Sequence, residues 1–149
     1  MTPWYAALLV LGLSAFAAGF WKGGAAERQG AAVLSGNLVL TIALQLSGSP
    51  HAVAFVAGTD GLTTLIFVWL ALRRDRWWLL AATAGLVLCT ATWVISLLHP
   101  AVGFYTAASA EIGEWALVYL ALAAGVLERW LAGETPAGDA ARRSRPSNP

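Results

Sequence analysis

Charge is what this sequence has least of. Only 11% of its 149 residues are Asp, Glu, Lys or Arg, while 58% are hydrophobic. Soluble domains carry about 25% charged residues, so a soluble fold of this composition would lack the polar side chains to cover its surface. Lipid removes that demand. Histidine is scarce too: His51 and His99 are the only two. Neither stands three or four residues from a carboxylate, the spacing by which a helix offers a pair of metal ligands, so no metal site is expected. Cysteine is reduced to Cys89. An internal disulfide is therefore excluded, and a lone Cys in an apolar run reads as a small hydrophobe rather than a nucleophile. A CxxC pair, a Walker loop, GxGxxG, HExxH and GxSxG are all missing. No enzyme class and no cofactor is expected. The net charge of +1 leaves no electrostatic footprint for nucleic acid. Nor does any Lys or Arg precede the first apolar run. Its Ala15-Phe16-Ala17 match to a cleavage site thus lacks the basic segment of a signal peptide, and the run is read as a membrane helix.

Apolar runs are what the chain has instead. A membrane helix needs about 20 mostly apolar residues. Five runs meet or approach that length, at residues 4–21, 30–47, 52–72, 77–98 and 102–127. Short polar breaks separate them at 22–29, 48–51, 73–76 and 99–101. Pro50 and Pro100 each precede a helix start, where a missing N–H costs little. Several of the eight Trp residues stand at run ends, where an amphipathic ring favours the headgroup region.

The basic residues assign a direction. Lys22 and Arg28 lie in the first break, and Arg73, Arg74 and Arg76 in the third. Arg129, Arg142, Arg143 and Arg145 follow the fifth run. The alternate breaks carry no Lys or Arg. The positive-inside rule places the basic set in the cytoplasm. The expected fold is an all-α integral membrane bundle of five transmembrane helices in the cell inner membrane, N-terminus outside and C-terminus cytoplasmic. Residues 1–132 form the bundle. Residues 133–149 are rich in Gly, Pro, Ala, Ser and charge, and are expected to be a disordered cytoplasmic tail. Small residues recur four apart at Ala15/Gly19, Ala81/Gly85, Ser109/Gly113 and Ala121/Gly125, a spacing that lets helices approach closely in lipid.

Ionisable residues inside membrane helices need a reason. Asp60 in the third run and Glu111 and Glu114 in the fifth are such residues. At a rise of about 1.5 Å per residue, Asp60 sits about 12 Å and Glu111 about 13 Å below the outer ends of their helices. The same layer holds Ser14, Asn37, Cys89 and Thr90, so every helix supplies a polar side chain at one depth. Glu111 and Glu114 share a helix face, as do Asp60, Thr63 and Thr64. The cytoplasmic half of the spans is nearly free of polar side chains. Asp60, Glu111, Glu114, Asn37 and Thr90 are therefore the candidate site for a proton, cation or small polar ligand. Two structural readings compete. Asp60 could cap a helix that begins near Gly58, with Glu111 and Glu114 at an outer surface. Alternatively the layer is an interhelical hydrogen-bond network with no ligand.

The segments Thr59-Asp60-Gly61-Leu62, Leu70-Ala71-Leu72-Arg73 with Arg76-Trp77, and Gly23-Gly24-Ala25-Ala26-Glu27-Arg28 together resemble an uncharacterised family of small polytopic bacterial inner-membrane proteins. The likeness covers most of residues 1–130 and implies a stand-alone membrane protein without implying an activity. In gross layout, five Trp-rich spans are also similar to the tryptophan-rich sensory proteins of the translocator protein family. The Pro- and Trp-rich loop of that family is missing, so none of its ligand residues carries over.

The functional expectation is a small inner-membrane protein acting as an interaction or accessory subunit of a larger membrane assembly, partnered by the lipid bilayer and by its own copies or another membrane protein. The alternative is a transporter or channel for a proton or small solute that uses the intramembrane carboxylate layer. An enzyme acting on a lipid or quinone ranks last, for want of a nucleophile or metal motif.

Overall fold

The computed structural model describes residues 3–49, 51–99 and 104–134. Five α-helices account for nearly all of them: α1 Pro3–Lys22, α2 Ala25–Leu46, α3 Ala52–Arg73, α4 Trp77–Leu98 and α5 Phe104–Leu131. There is no strand among the described residues. All five helices are long and apolar enough to cross a membrane. Pro50, Pro100 and the tail from residue 135 lie outside the described residues.

The helices close a ring in chain order. α1 packs on α2 and α5, α3 on α2 and α4, and the most extensive interface joins α4 to α5. One end of the ring gathers Lys22, Glu27, Arg74, Arg76 and Arg129, and is here called the basic end. Lys22 lies over the Trp21 ring and Arg73 over Trp69, at 5.5 and 5.0 Å from the ring centres. The cationic heads are thus held where the apolar runs stop.

Two helix boundaries depart from the hydropathy pattern. α2 begins at Ala25 rather than near residue 30, so the break between α1 and α2 shrinks to Gly23 and Gly24. The cause is local. Glu27 reaches back from the third helical position and accepts the Gly24 N–H at 2.9 Å, satisfying a donor that the helix start would otherwise orphan. Gly23 tolerates the tight turn because a Cβ there would fall 2.7 Å from that of Glu27. α5 extends to Leu131, and its last turn brings Arg129 into the same cluster. Glu134 pairs with Arg76 at 2.9 Å and with Arg129 at 3.1 Å.

The interior is uneven along the ring axis. Leu34, Phe67, Ala82, Leu86 and Leu122 are wholly buried between the basic end and the level of Asp60. Past Asn37, Asp60, Cys89 and Trp115, toward the other end, Val56 is the one buried residue among those described. The half next to the basic end is the packed half, and the other, where the described side chains are mostly exposed or half-buried, is the spread half. Small residues explain part of the close half. A Cβ on Gly19 would meet Ala31 at 3.0 Å, one on Gly85 would meet Val118 at 2.9 Å, and Gly12 lies against the Tyr119 ring. The Ser109/Gly113 pair does not take part, since Gly113 has open space beside it.

Candidate functional site

Asp60 lies in the middle of α3, eight residues past its start, so it is no helix cap. It is 1% exposed. Its two carboxylate oxygens each accept an N–H. The Asn37 amide on α2 donates to Oδ1 at 2.9 Å, and the Trp93 indole on α4 donates to Oδ2 at 3.1 Å. Both donors are neutral. The turn of α3 that presents Asp60 also buries Thr63 and Thr64, as helical spacing requires. The Thr64 hydroxyl lies 2.9 Å from Thr90 Oγ1 and within bonding distance of the Asp60 and Leu86 carbonyls. Thr90 thus joins α3 to α4 through Thr64, without touching a carboxylate.

α5 supplies the other two carboxyls. Glu114 Oε1 accepts the Thr92 hydroxyl at 2.7 Å, and the Cys89 thiol lies against the same carboxylate. Trp115 stands one turn along the same helix as Glu111, near enough for its indole to interact with that carboxyl. Asp60 and Glu111 share no hydrogen bond, although they are close enough to interact electrostatically, and Glu114 adds to the same field. Of the candidate residues, Asn37 and Asp60 meet directly, while Thr90, Glu111 and Glu114 line the adjoining faces of α4 and α5.

One sequence-derived member of the layer needs correction. Ser14 is exposed and its hydroxyl turns back to the Val10 carbonyl at 2.7 Å. α1 contributes no polar group here, and presents Gly12 and Phe16 to Tyr119 instead. Glu27, which hydropathy leaves in the break between the first two runs, is instead a helical residue at the basic end, buried at 0% exposure. His51 and His99 are both exposed, and no cluster of three or more His, Cys, Asp or Glu suited to a metal occurs among the described residues.

Glu27 organises a second cluster at the basic end. Its Oε1 accepts the Trp78 indole N–H at 3.0 Å, its Oε2 accepts the Gly24 N–H, and Arg129 Nη1 lies 3.9 Å away. The Trp78 ring is fully buried between two glycines. A Cβ on Gly30 would come within 2.7 Å of it, and one on Gly125 would overlap it outright. Phe67 meets it edge-on at 6.4 Å. Next door, the Trp77 indole donates to Glu128, and Arg74 donates to Gln29 at 3.3 Å.

The hydropathy reading missed Glu27, Trp78, Thr92 and Trp93. For Glu27 a signal existed in the Gly24-x-x-Glu27 spacing, half of a capping box. The indoles carried none, because tryptophan in an apolar chain reads equally as an interfacial anchor. Trp78 and Trp115 turn out to be interior residues. No protein-family model, no curated protein and no solved structure matches this chain.

Proposed function

We propose that this chain is an inner-membrane transporter for a proton or small solute, and that the layer around Asp60 is its binding site. The observation that carries this reading is Asp60 itself. A carboxyl buried in the middle of an apolar helix, held by two neutral donors and by no cation, is costly to keep for packing alone. Its position adds support, since it lies at the boundary between the spread half of the bundle and the packed half. With the basic loops in the cytoplasm, the spread half faces outward and the site is reached from outside. Toward the cytoplasm, the fully buried side chains of Leu34, Phe67, Leu86 and Leu122 are all apolar. That favours a carrier that changes shape over an open channel. No catalytic role is assigned to any residue.

The test is flux. Purified protein in liposomes with a pH-sensitive dye inside is exposed to inward gradients of protons and of small ionic or amine solutes. The expected result is dye response above that of empty liposomes with the natural sequence, and its loss in Asp60→Asn. Equal responses from the two proteins would end the reading.

A second reading, an interaction or accessory subunit, draws on a different surface. An open groove of about 460 Å³ runs along α2 beside Phe20, lined by Ala32, Ser35, Gly36, Val39 and Ala43. Nothing lies within 4 Å of a Cβ placed on Gly36. Small residues on such a face let another helix approach closely, and a second copy of the chain is the occupant proposed. A cysteine at Gly36 should then crosslink in native membranes to a dimer. Absence of the dimer under conditions that crosslink a known neighbour would remove this reading.

A further inference from the structure

We infer that the Asn37–Asp60–Glu114 layer binds a small cation, either a monovalent metal ion or ammonium, through oxygen atoms. The inference rests on the reading that this layer is a ligand site, and names the chemistry of what it takes.

The argument is one of sign. Both Asp60 oxygens and Glu114 Oε1 already accept hydrogen bonds. Two buried polar atoms of this layer remain without a partner in the described structure, Asn37 Oδ1 and Glu114 Oε2. Both are acceptors. Asn37 is itself 6% exposed, so its unpartnered oxygen lies in the interior. The deficit is thus of donors or positive charge. An anion or a second acceptor would add to it. The protein does not fill it either, because every ion pair in the described residues lies at the basic end, with Arg76 and Arg129.

Asn37 strengthens the point through its orientation. Turning the amide over would set Asn37 Oδ1 against Asp60 Oδ1 at 2.9 Å, two acceptors face to face. With Asp60 ionised the amide keeps its Nδ2 toward the carboxylate and leaves its Oδ1 free to accept. A carbonyl oxygen beside carboxylate oxygens is the donor set of a hard cation. The described residues hold no cluster of three or more His, Cys, Asp or Glu suited to a metal, so the ion proposed is a singly charged one, which needs fewer charged ligands. Ammonium shares the chemistry, since its N–H groups donate to the same oxygens.

Trp93 provides the readout, because its indole N–H already bonds Asp60. The full chain is placed in lipid nanodiscs with nitrogen-15 tryptophan at fixed pH, and the Trp93 indole resonance is identified by its loss in Trp93→Phe. Sodium, lithium, potassium and ammonium chlorides are titrated against N-methylglucamine chloride at equal ionic strength. The expected result is a saturable shift of Trp93 with one or more of the small cations and none with N-methylglucamine, while the Trp78 indole at the far end stays in place. The metal and ammonium arms decide which source of the chemistry is used. Asn37→Leu should weaken the response by about tenfold or more, the scale of one lost polar ligand. Asn37→Ser serves if the leucine variant loses the remaining indole signals of the folded protein. No shift, or an equal shift with the large cation, overturns the inference from the natural sequence alone. If flux still requires Asp60 while no small cation moves Trp93, this inference falls and the transport reading stands. If Trp93 binds cations and flux is absent, the transport reading falls and the site stands.

Discussion

A carboxylate in an apolar helix is stabilised by whatever donors its neighbours bring, and for Asp60 those are an amide and an indole. The consequence is a graded pair of substitutions. Asp60→Asn keeps a carbonyl oxygen for one of the two donors. Asp60→Leu leaves both Asn37 Nδ2 and Trp93 Nε1 unpaired in the interior. An unpaired buried donor costs about 1–3 kcal/mol in soluble proteins, and interhelical hydrogen bonds in membranes average about 0.6 kcal/mol. The leucine variant should therefore be less stable than the asparagine variant by about 1–2 kcal/mol, measured by reversible unfolding in mixed micelles. Equal stabilities would mean that these bonds contribute nothing. At this scale the sequence was partly readable. The spacing of Asp60, Thr63 and Thr64 puts them on one face by helix geometry alone, and that face is buried. Ser14 was misplaced by the same arithmetic, because depth along a helix says nothing about direction around it. In a helix that is apolar on all sides, no moment tells inward from outward.

Among the elements, α2, α4 and α5 are bound at the basic end by one indole. Trp78 fits between Gly30 and Gly125 and donates to Glu27. A methyl group at position 125 would overlap the ring, and a rigid buried indole has nowhere to go. Gly125→Ala should cost about 1–3 kcal/mol, the usual range for overpacking. Gly113→Ala meets nothing within 4 Å. It should be neutral or stabilising by up to about 1 kcal/mol, as expected for removing a glycine from a helix interior. Thermal unfolding of the two variants side by side tests the contrast, and the same sign for both would contradict the packing described. The ion pairs nearby respond to pH. A hydrogen bond from Arg76 holds the exposed Glu134 carboxyl below its ordinary range. A carboxyl lowered in the folded state stabilises above its unfolded pKa and loses that contribution as pH falls through the folded one. The contact of residue 134 with α4 should accordingly loosen only in acid, as read by amide exchange at Glu134. Helix existence was legible here from run length, because five stretches of about 20 apolar residues have few other uses. The start of α2 was not. Its first turn holds Glu27 and Arg28, charges that hydropathy assigns to a loop, and the helix start there rests on the Glu27 carboxylate accepting the Gly24 N–H and the Trp78 indole.

For the molecule as a whole, the asymmetry between a spread half and a packed half connects topology to function, and both can be tested on one set of cysteines. With Cys89 replaced by alanine, single cysteines are placed at Ser49, Arg74, Thr92 and Leu86 and treated with a membrane-impermeant thiol reagent from either side. The alternation of basic loops predicts Arg74 in the cytoplasm and Ser49 outside, so they should label from opposite faces. Labelling from the same face would end the five-span orientation, whatever the status of the site. Thr92 is half-buried beside Glu114 in the spread half, whereas Leu86 is fully buried about 13 Å from the start of α4. A reagent that enters with water should reach position 92 from the Ser49 side and position 86 from neither. If 86 labels as readily as 92, the layer of Leu34, Phe67, Leu86 and Leu122 is wet, and a continuous pore replaces the carrier. If 92 labels only from the Arg74 side, the site opens to the cytoplasm and the direction of access is reversed. If neither labels while 49 and 74 do, the polar layer is sealed at both ends. Asp60 and its donors would then be an interhelical bond network that holds α2, α3 and α4 together and handles no ligand.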